Sequence, residues 1–263
     1  MDHQIRLSIL SGLIFLFVVT GCGGNFFEES SGKTTEAALT QAIKTSINDL
    51  DYDTAIDLIE NSGIVADTRE KKNLFASAYA GKCGVSFAGL IDALGAPAGT
   101  LFNFFMSSFQ SITTDAASCE QARVYLESVG LVTERTLAEN LSYFLVGFGK
   151  IGAHLKENGD TAAPFGTFDG GFDACAVGDL PAADVQDMMS GFGMMIDTSL
   201  SISAFLGGTL GADLTTIGTV CGASCVETDP TQITSAPDIL SFRRIVASTE
   251  YGANTCALAV CCP

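Results

Sequence analysis

The chain has 263 residues and a formal net charge of −17, from 30 Asp and Glu against 13 Lys and Arg. That balance excludes a nucleic-acid partner, which needs a basic footprint, and electrostatic attraction to an anionic lipid surface. A hydrophobic fraction of 47%, with 18 Phe and no Trp, supplies a sizeable core for one large domain or two small ones.

The N-terminus reads as a leader. Arg6, partly offset by Asp2, precedes an apolar run from Leu7 to Val19 that is broken by Ser8, Ser11 and Gly12. Thr20 and Gly21 then lead to Cys22. This is the plan of a secretory signal, and the run is short for a membrane span. The quartet Val19-Thr20-Gly21-Cys22 resembles a bacterial lipobox. The resemblance implies that 1–21 is a lipoprotein signal peptide and that Cys22 becomes the lipidated mature N-terminus. Its diacylglycerol and amide-linked acyl chain, palmitate for example, give the two anchoring signals that stable attachment needs. Gly23 in place of Asp implies the outer membrane, with the body facing the periplasm. Residues 22–35 are small and polar and read as a tether.

From residue 36 the apolar period is helical. Leu39, Ile43, Ile47 and Leu50 make one stripe. Asp51 or Asp53 can cap a second helix through Ala55, Leu58 and Ile59, stopped at Asn61-Ser62-Gly63. Asp67-x-x-Glu70 resembles a capping arrangement for a third, with Leu74, Phe75, Ala78 and Tyr79. Phe87, Leu90, Ile91 and Leu94 carry a fourth. The stretch 36–94 resembles tetratricopeptide-type (TPR-like) helical hairpins through Leu50-Asp51-Tyr52-Asp53-Thr54-Ala55, Ala76, Tyr79 and Ala88. Ala55 and Ala88 are nearly one repeat apart. The usual Trp and closing Pro are missing, and Lys82-Cys83-Gly84-Val85 stands where the inter-helix turn belongs.

Leu101, Phe105, Phe109 and Ile112 form the next stripe, widened by Phe102, Phe104 and Met106. Asp115 caps a helix through Tyr125, Leu126 and Val129 to Gly130. Thr133 is the expected cap of a long helix carrying Leu137, Leu141, Phe144, Phe148, Ile151 and Leu155. Residues 157–180 are rich in Gly, Asp and Ala and read as a loop. Pro181 opens a helix with Val185, Met188, Met189, Phe192, Met195 and Ile196. Residues 209–220 fit helix or strand equally, and Pro237 opens a last helix through Val246. The expected fold is mainly α: antiparallel hairpins packed as a bundle or array over 36–156, then a helical, disulfide-stapled part over 181–263. Residues 93–114 carry no charge, but Gly95, Pro97, Gly99 and the polar side chains make them a poor membrane segment.

Eight cysteines follow Cys22: Cys83, Cys119, Cys175, Cys221, Cys225, Cys256, Cys261 and Cys262. An even set outside the cytosol reads as up to four disulfides, with on the order of a hundred connectivities open. Cys83 and Cys119 fall in the N-terminal half. Cys261 and Cys262 are adjacent and should reach different partners among Cys175, Cys221 and Cys225, with Cys256 tied down beside them. A zinc site at Cys221-x-x-x-Cys225 is disfavoured, because no histidine lies near and oxidised cysteines offer no thiolate.

Gly147-Phe148-Gly149-Lys150-Ile151-Gly152 matches GxGxxG. The apolar stripe runs unbroken through it, so it reads as small residues for helix packing in place of a dinucleotide loop. Asp160, Asp169, Asp173 and Asp179 lack EF-hand spacing and read as solvated, with calcium as the alternative. His154 is the only histidine beyond the leader and reads as a helix-terminal residue. The pairs Lys71-Lys72 and Arg243-Arg244 are expected to salt-bridge. The Phe and Met stripes at 101–112 and 188–196 read as core, or as the lining of a cavity for an apolar ligand. No catalytic residue, cofactor or metal is assigned. The expected function is a lipid-anchored, non-enzymatic interaction or transport-accessory module contacting another envelope protein. The alternatives are a carrier of an apolar small molecule or lipid, and an enzyme of unrecognised type.

Overall fold

The computed structural model describes residues 35–85, 100–202, 214, 216–219, 221, 223–252, 256–258 and 260–262. The chain divides into a unit 1–41, of which 35–41 are described, and a compact unit 42–263. Cys22 with the leader and the tether up to residue 34, the expected fourth helix with Ala88, and residues 209–213, 215 and 220 lie outside the described residues.

The fold is mainly α, as the periodicity predicts. The helices are α1 (Glu36–Asn48), α2 (Tyr52–Asn61), α3 (Arg69–Lys82), α4 (Leu101–Phe109), α5 (Ala116–Glu127), α6 (Leu137–Gly159), α7 (Ala182–Ser199) and α8 (Ala236–Ala247). Two 3-10 turns, Ala223–Val226 and Pro230–Gln232, lie between α7 and α8. Residues 214 and 216–219 are helical too, which resolves the helix-or-strand ambiguity for that part of 209–220.

Caps explain where the helices begin. Asp51 accepts from the Thr54 N–H and starts α2, and Asp115 accepts from the Ser118 N–H and starts α5. Two expected caps move. Thr68, not Asp67, caps α3, and Asp67 instead pairs with Lys71 one turn on. The cap of α6 is Thr136, three residues past Thr133. It forms a capping box: Thr136 Oγ1 accepts from the Glu139 N–H, and Glu139 Oε2 accepts from the Thr136 N–H at 2.6 Å.

Helix α6 is the hub. It packs most extensively on α7, then on α5 and α4, while α3 finds its main partner in α5. Glycines set the closest approaches. A Cβ at Gly147 would stand 2.5 Å from the Gly191 carbonyl oxygen, and one at Gly191 would stand 2.6 Å from that of Gly147. The backbones of α6 and α7 therefore touch there. Gly149 lies against Val85 and the Cys83 sulfur, and Gly152 against the Phe109 ring. All three glycines of GxGxxG lie inside one helix and serve packing.

The Phe and Met stripes meet in one buried core. Phe148 of α6 sits 4.8 Å from Phe105 and 5.6 Å from Phe109, centroid to centroid, and Phe242 of α8 contacts Phe102 and Phe192. Met188, Met189 and Met195 are buried in the same cluster. Lys156 closes the C-terminus of α4, donating to the Phe109 carbonyl at 2.7 Å and to that of Ile112. A cation there satisfies orphan carbonyls and opposes the helix dipole.

All eight cysteines beyond the tether are bridged: Cys83–Cys119, Cys175–Cys262, Cys221–Cys225 and Cys256–Cys261. Cys261 and Cys262 do reach different partners. Only Cys262 reaches back to the predicted set; Cys261 closes on Cys256, and Cys221 and Cys225 close on each other. The reason is local reach. Cysteines four and five residues apart come within Cα–Cα distances of 5.8 and 5.4 Å, inside the range a disulfide spans.

Candidate functional site

Charge is concentrated inside this fold along one seam. Lys150 and His154 lie four apart on α6, so they share a face. That face meets Glu120, Arg123 and Glu127 of α5 on one side and Asp184 and Asp187 of α7 on the other. The Gly147–Gly191 crossing draws α6 and α7 together, and the Cβ of Lys150 lies 3.0 Å from where a Gly191 side chain would begin. The lysine is consequently fully buried.

Each group has a partner. Lys150 Nζ donates to Glu120 Oε2 at 2.5 Å and pairs with Asp187 Oδ1 at 2.8 Å. The other Asp187 oxygen lies 2.8 Å from His154 Nε2, while His154 Nδ1 faces Asp184 Oδ1 at 3.8 Å. Asn158 Nδ2 donates to the second Asp184 oxygen at 3.0 Å. On the α5 side Arg123, 6% exposed, binds Glu120 at 2.6 Å and also Glu127. Tyr143 Oη donates to Glu127 at 2.5 Å, and the Arg135 guanidinium lies 4.0 Å over the Tyr143 ring.

Electrostatics follow from this geometry. Burial pushes the Asp187 carboxyl up, but the His154 hydrogen bond and the Lys150 charge outweigh it and hold the pKa below its ordinary value. Burial lowers Arg123, and the Glu120 and Glu127 bonds more than reverse that. Burial and Glu127 both raise Tyr143. A buried ammonium between two carboxylates is tolerated only when paired this closely.

A cleft of about 490 Å³ opens beside the seam, lined by Glu120, His154, Glu157, Asp184, Gln186 and Asp187. The carboxylates and the imidazole are spent on one another or, for Glu157, on the Ala116 N–H. No hydroxyl or thiol hydrogen-bonds to His154 among the described residues, so the pattern of an activated nucleophile is not formed there. A second cleft of about 340 Å³ is lined by Ala76, Ala80, Leu126, Leu145 and Val146 together with the polar Asn73, Ser77 and Glu139.

The other sequence candidates separate. Asp160 and Asp169 bind backbone N–H groups of Gly166 and of Thr161 and Ala162, and Asp173 and Asp179 bind those of Cys175 and Asp173. They act as turn acceptors. Among the described residues no three His, Cys, Asp or Glu are arranged to hold a metal ion. Burial raises the Asp160 carboxyl. Lys71 pairs with Asp67 as expected, but Lys72 donates to the Ser128 carbonyl. Arg243 and Arg244 donate to backbone carbonyls, not to carboxylates. His154, expected as a helix-terminal residue, lies within α6, is 8% exposed and is paired with Asp187. Lys150, Glu120 and Asp187 were not singled out from sequence. The one available signal was a lysine within an otherwise apolar helical stripe.

No protein-family model, no curated protein and no solved structure matches the chain.

Proposed function

We propose that the protein is exported, lipid-anchored through Cys22 in a bacterial cell envelope, and acts without catalysis as an interaction or transport-accessory module. The outer membrane, with the body facing the periplasm, is the expected site, and another envelope protein is the expected partner. Cysteine arithmetic carries the reading. Four bridges use eight of the nine cysteines. The ninth is Cys22, at the end of an apolar leader in a lipobox-like quartet. A fully bridged set supports an oxidising compartment. The saturation of the Lys150–His154 seam by internal partners supports a binding role over chemistry at that seam.

Cys22→Ala tests the anchor. With labelled palmitate, the wild type should take up label and fractionate with membranes. The variant should take up none and accumulate as precursor or as released protein. Label retained on Cys22→Ala refutes the anchor. A second reading, carriage of an apolar small molecule, is favoured by the 340 Å³ cleft. The Phe and Met stripes, packed on each other in the core, do not motivate it. Saturable binding of a fluorescent apolar probe, abolished by Ala80→Phe in that cleft, would establish carriage.

A further inference from the structure

Helix α8 carries its two arginines side by side, and adjacent helical positions point apart. Arg243, 4% exposed, turns inward, where Nη1 donates to the Ala174 carbonyl at 2.9 Å and the Ala176 carbonyl at 3.3 Å. Arg244 turns toward the tail, with Nε donating to the Cys261 carbonyl at 2.9 Å and Nη2 to the Cys262 carbonyl at 3.2 Å. These carbonyls flank the two ends of one disulfide, Cys175–Cys262. Among the described residues neither guanidinium forms an ion pair. Asp173 is the carboxylate whose field reaches Arg243, and burial works against it. Both chain segments are therefore held by the helix independently of the covalent bond between them.

We propose that Cys175–Cys262 is an exchangeable redox site seated by Arg243 and Arg244, opened by a dithiol and closed by a disulfide of the same class while the tail stays docked. Cys175 is partly exposed, whereas Cys262 is 4% exposed, so attack enters at Cys175. One thiolate of the dithiol bonds to Cys175 Sγ, the Cys175–Cys262 bond breaks, and its electron pair leaves on Cys262 as thiolate. The second thiolate then attacks the reagent sulfur of the mixed disulfide and expels Cys175 as thiolate. The reagent ends as a disulfide, oxidised by two electrons, and its two protons are available to the two cysteine thiolates. The positive charge that Arg244 holds on the Cys262 carbonyl favours thiolate at that end and improves the leaving group. By contrast, Cys83, Cys119, Cys221 and Cys225 are all 0–1% exposed. Among the described residues no guanidinium donates to the carbonyls beside them. Cys256–Cys261 shares the tail with a partly exposed Cys256, so the bridges must be read individually.

The experiment equilibrates the mature chain in glutathione redox buffers, traps thiols by alkylation and maps each bridge. The effective concentration of the Cys175 and Cys262 thiols should fall at least tenfold in Arg243→Met/Arg244→Met, and less in Arg244→Lys, which keeps the charge. Cys83–Cys119 should stay within about twofold, confirming that the body is folded. In Cys175→Ser/Cys262→Ser, hydrogen exchange over residues 256–262 should remain slowed, and adding Arg244→Met should release it. Three results would overturn the proposal. They are an unchanged effective concentration in the double arginine variant, an equal fall at Cys83–Cys119, or a tail that exchanges as free peptide in the serine variant with both arginines intact.

Discussion

Gly147→Ala tests how closely α6 and α7 approach. The new Cβ would stand 2.5 Å from the Gly191 carbonyl oxygen, 3.0 Å from Met194 Cβ and 3.2 Å from Met195 Cγ. A carbon–oxygen contact of the C–H···O kind sits at about 3.3–3.6 Å, so the helices must part by roughly 0.8–1.1 Å. The obstacle is backbone, and it cannot rotate away. Overpacking of this kind costs about 1–3 kcal/mol, and the upper end applies when a helix must move. Replacing a mid-helix glycine by alanine returns about 1 kcal/mol of helix propensity. The net loss should be about 2 kcal/mol, or about 4–8 °C in Tm for a unit of this size. Urea unfolding of the oxidised protein measures it, with Gly171→Ala as control. A Cβ at Gly171 meets nothing within 4 Å, and its variant should stay within about 0.5 kcal/mol of wild type. Because Gly191 faces the same crossing, Gly147→Ala/Gly191→Ala should cost less than the sum of the single changes. A Gly147→Ala protein as stable as wild type, or more stable, would show that propensity wins and that the backbones do not touch.

Three further outcomes follow from the charges and bridges. Lys150→Met should destabilise by about 1–3 kcal/mol at pH 7, since Glu120 and Asp187 lose the cation between them and keep only Arg123 and His154 as partners; Lys150→Met/Glu120→Gln should recover part of that in the same urea assay. Glu139 is held well below the usual carboxylate range by the Arg69 bonds at 2.5 and 2.8 Å, against its burial, with Asn73 and Thr136 adding to them. A depressed folded pKa gives stability that is present above the unfolded value, about 4.3, and lost as pH falls toward the folded one. Glu139→Gln keeps a capping-box residue yet should flatten the acid limb of stability between about pH 4.5 and pH 2; an unchanged limb would show that Glu139 is not the titrating group. Removing Cys83–Cys119 as a Ser pair should cost roughly 4 kcal/mol by loop entropy for its separation of 36 residues, and removing Cys221–Cys225 roughly half that for a separation of 4. Thermal melts that rank the two in the opposite order would reject the loop-entropy account.

The helical stripes were legible because burial imposes a 3.6-residue period on each element separately. The cap was legible where a single acidic residue stood alone, as at Asp115, and was narrowed to two at the second helix, where Asp51 and not Asp53 takes the role. For α6 two threonines competed, and only Thr136 has Glu139 three residues on; the capping-box pattern was present and favours the later one. The buried seam was not legible. Lys150 meets Glu120 and Asp187 only after three helices assemble, and nothing local distinguishes it from a lysine at a solvated edge. The same holds for Gly149, whose neighbours are Val85 and the Cys83 sulfur. Pairing of the tail cysteines was half legible. Adjacency forced Cys261 and Cys262 apart, but the choice between a near partner and a distant one depends on backbone reach that spacing alone does not reveal.

The bridges divide the chain in a way that bears on its unfolded form. One ring closes over 83–119 and another over 175–262, the latter containing the two small local rings. Residues 120–174 lie in neither, and they include all of α6, the helix on which α3, α4, α5 and α7 converge. Denatured but still oxidised, the molecule is two loops joined by an open string, and its central helix belongs to the string. Cross-linking thus trims the freedom of the flanks and leaves the middle with nearly its full chain entropy to lose. Order in α6 must come from its capping box and its packing, so a segment outside every ring is the one on which assembly of the whole depends.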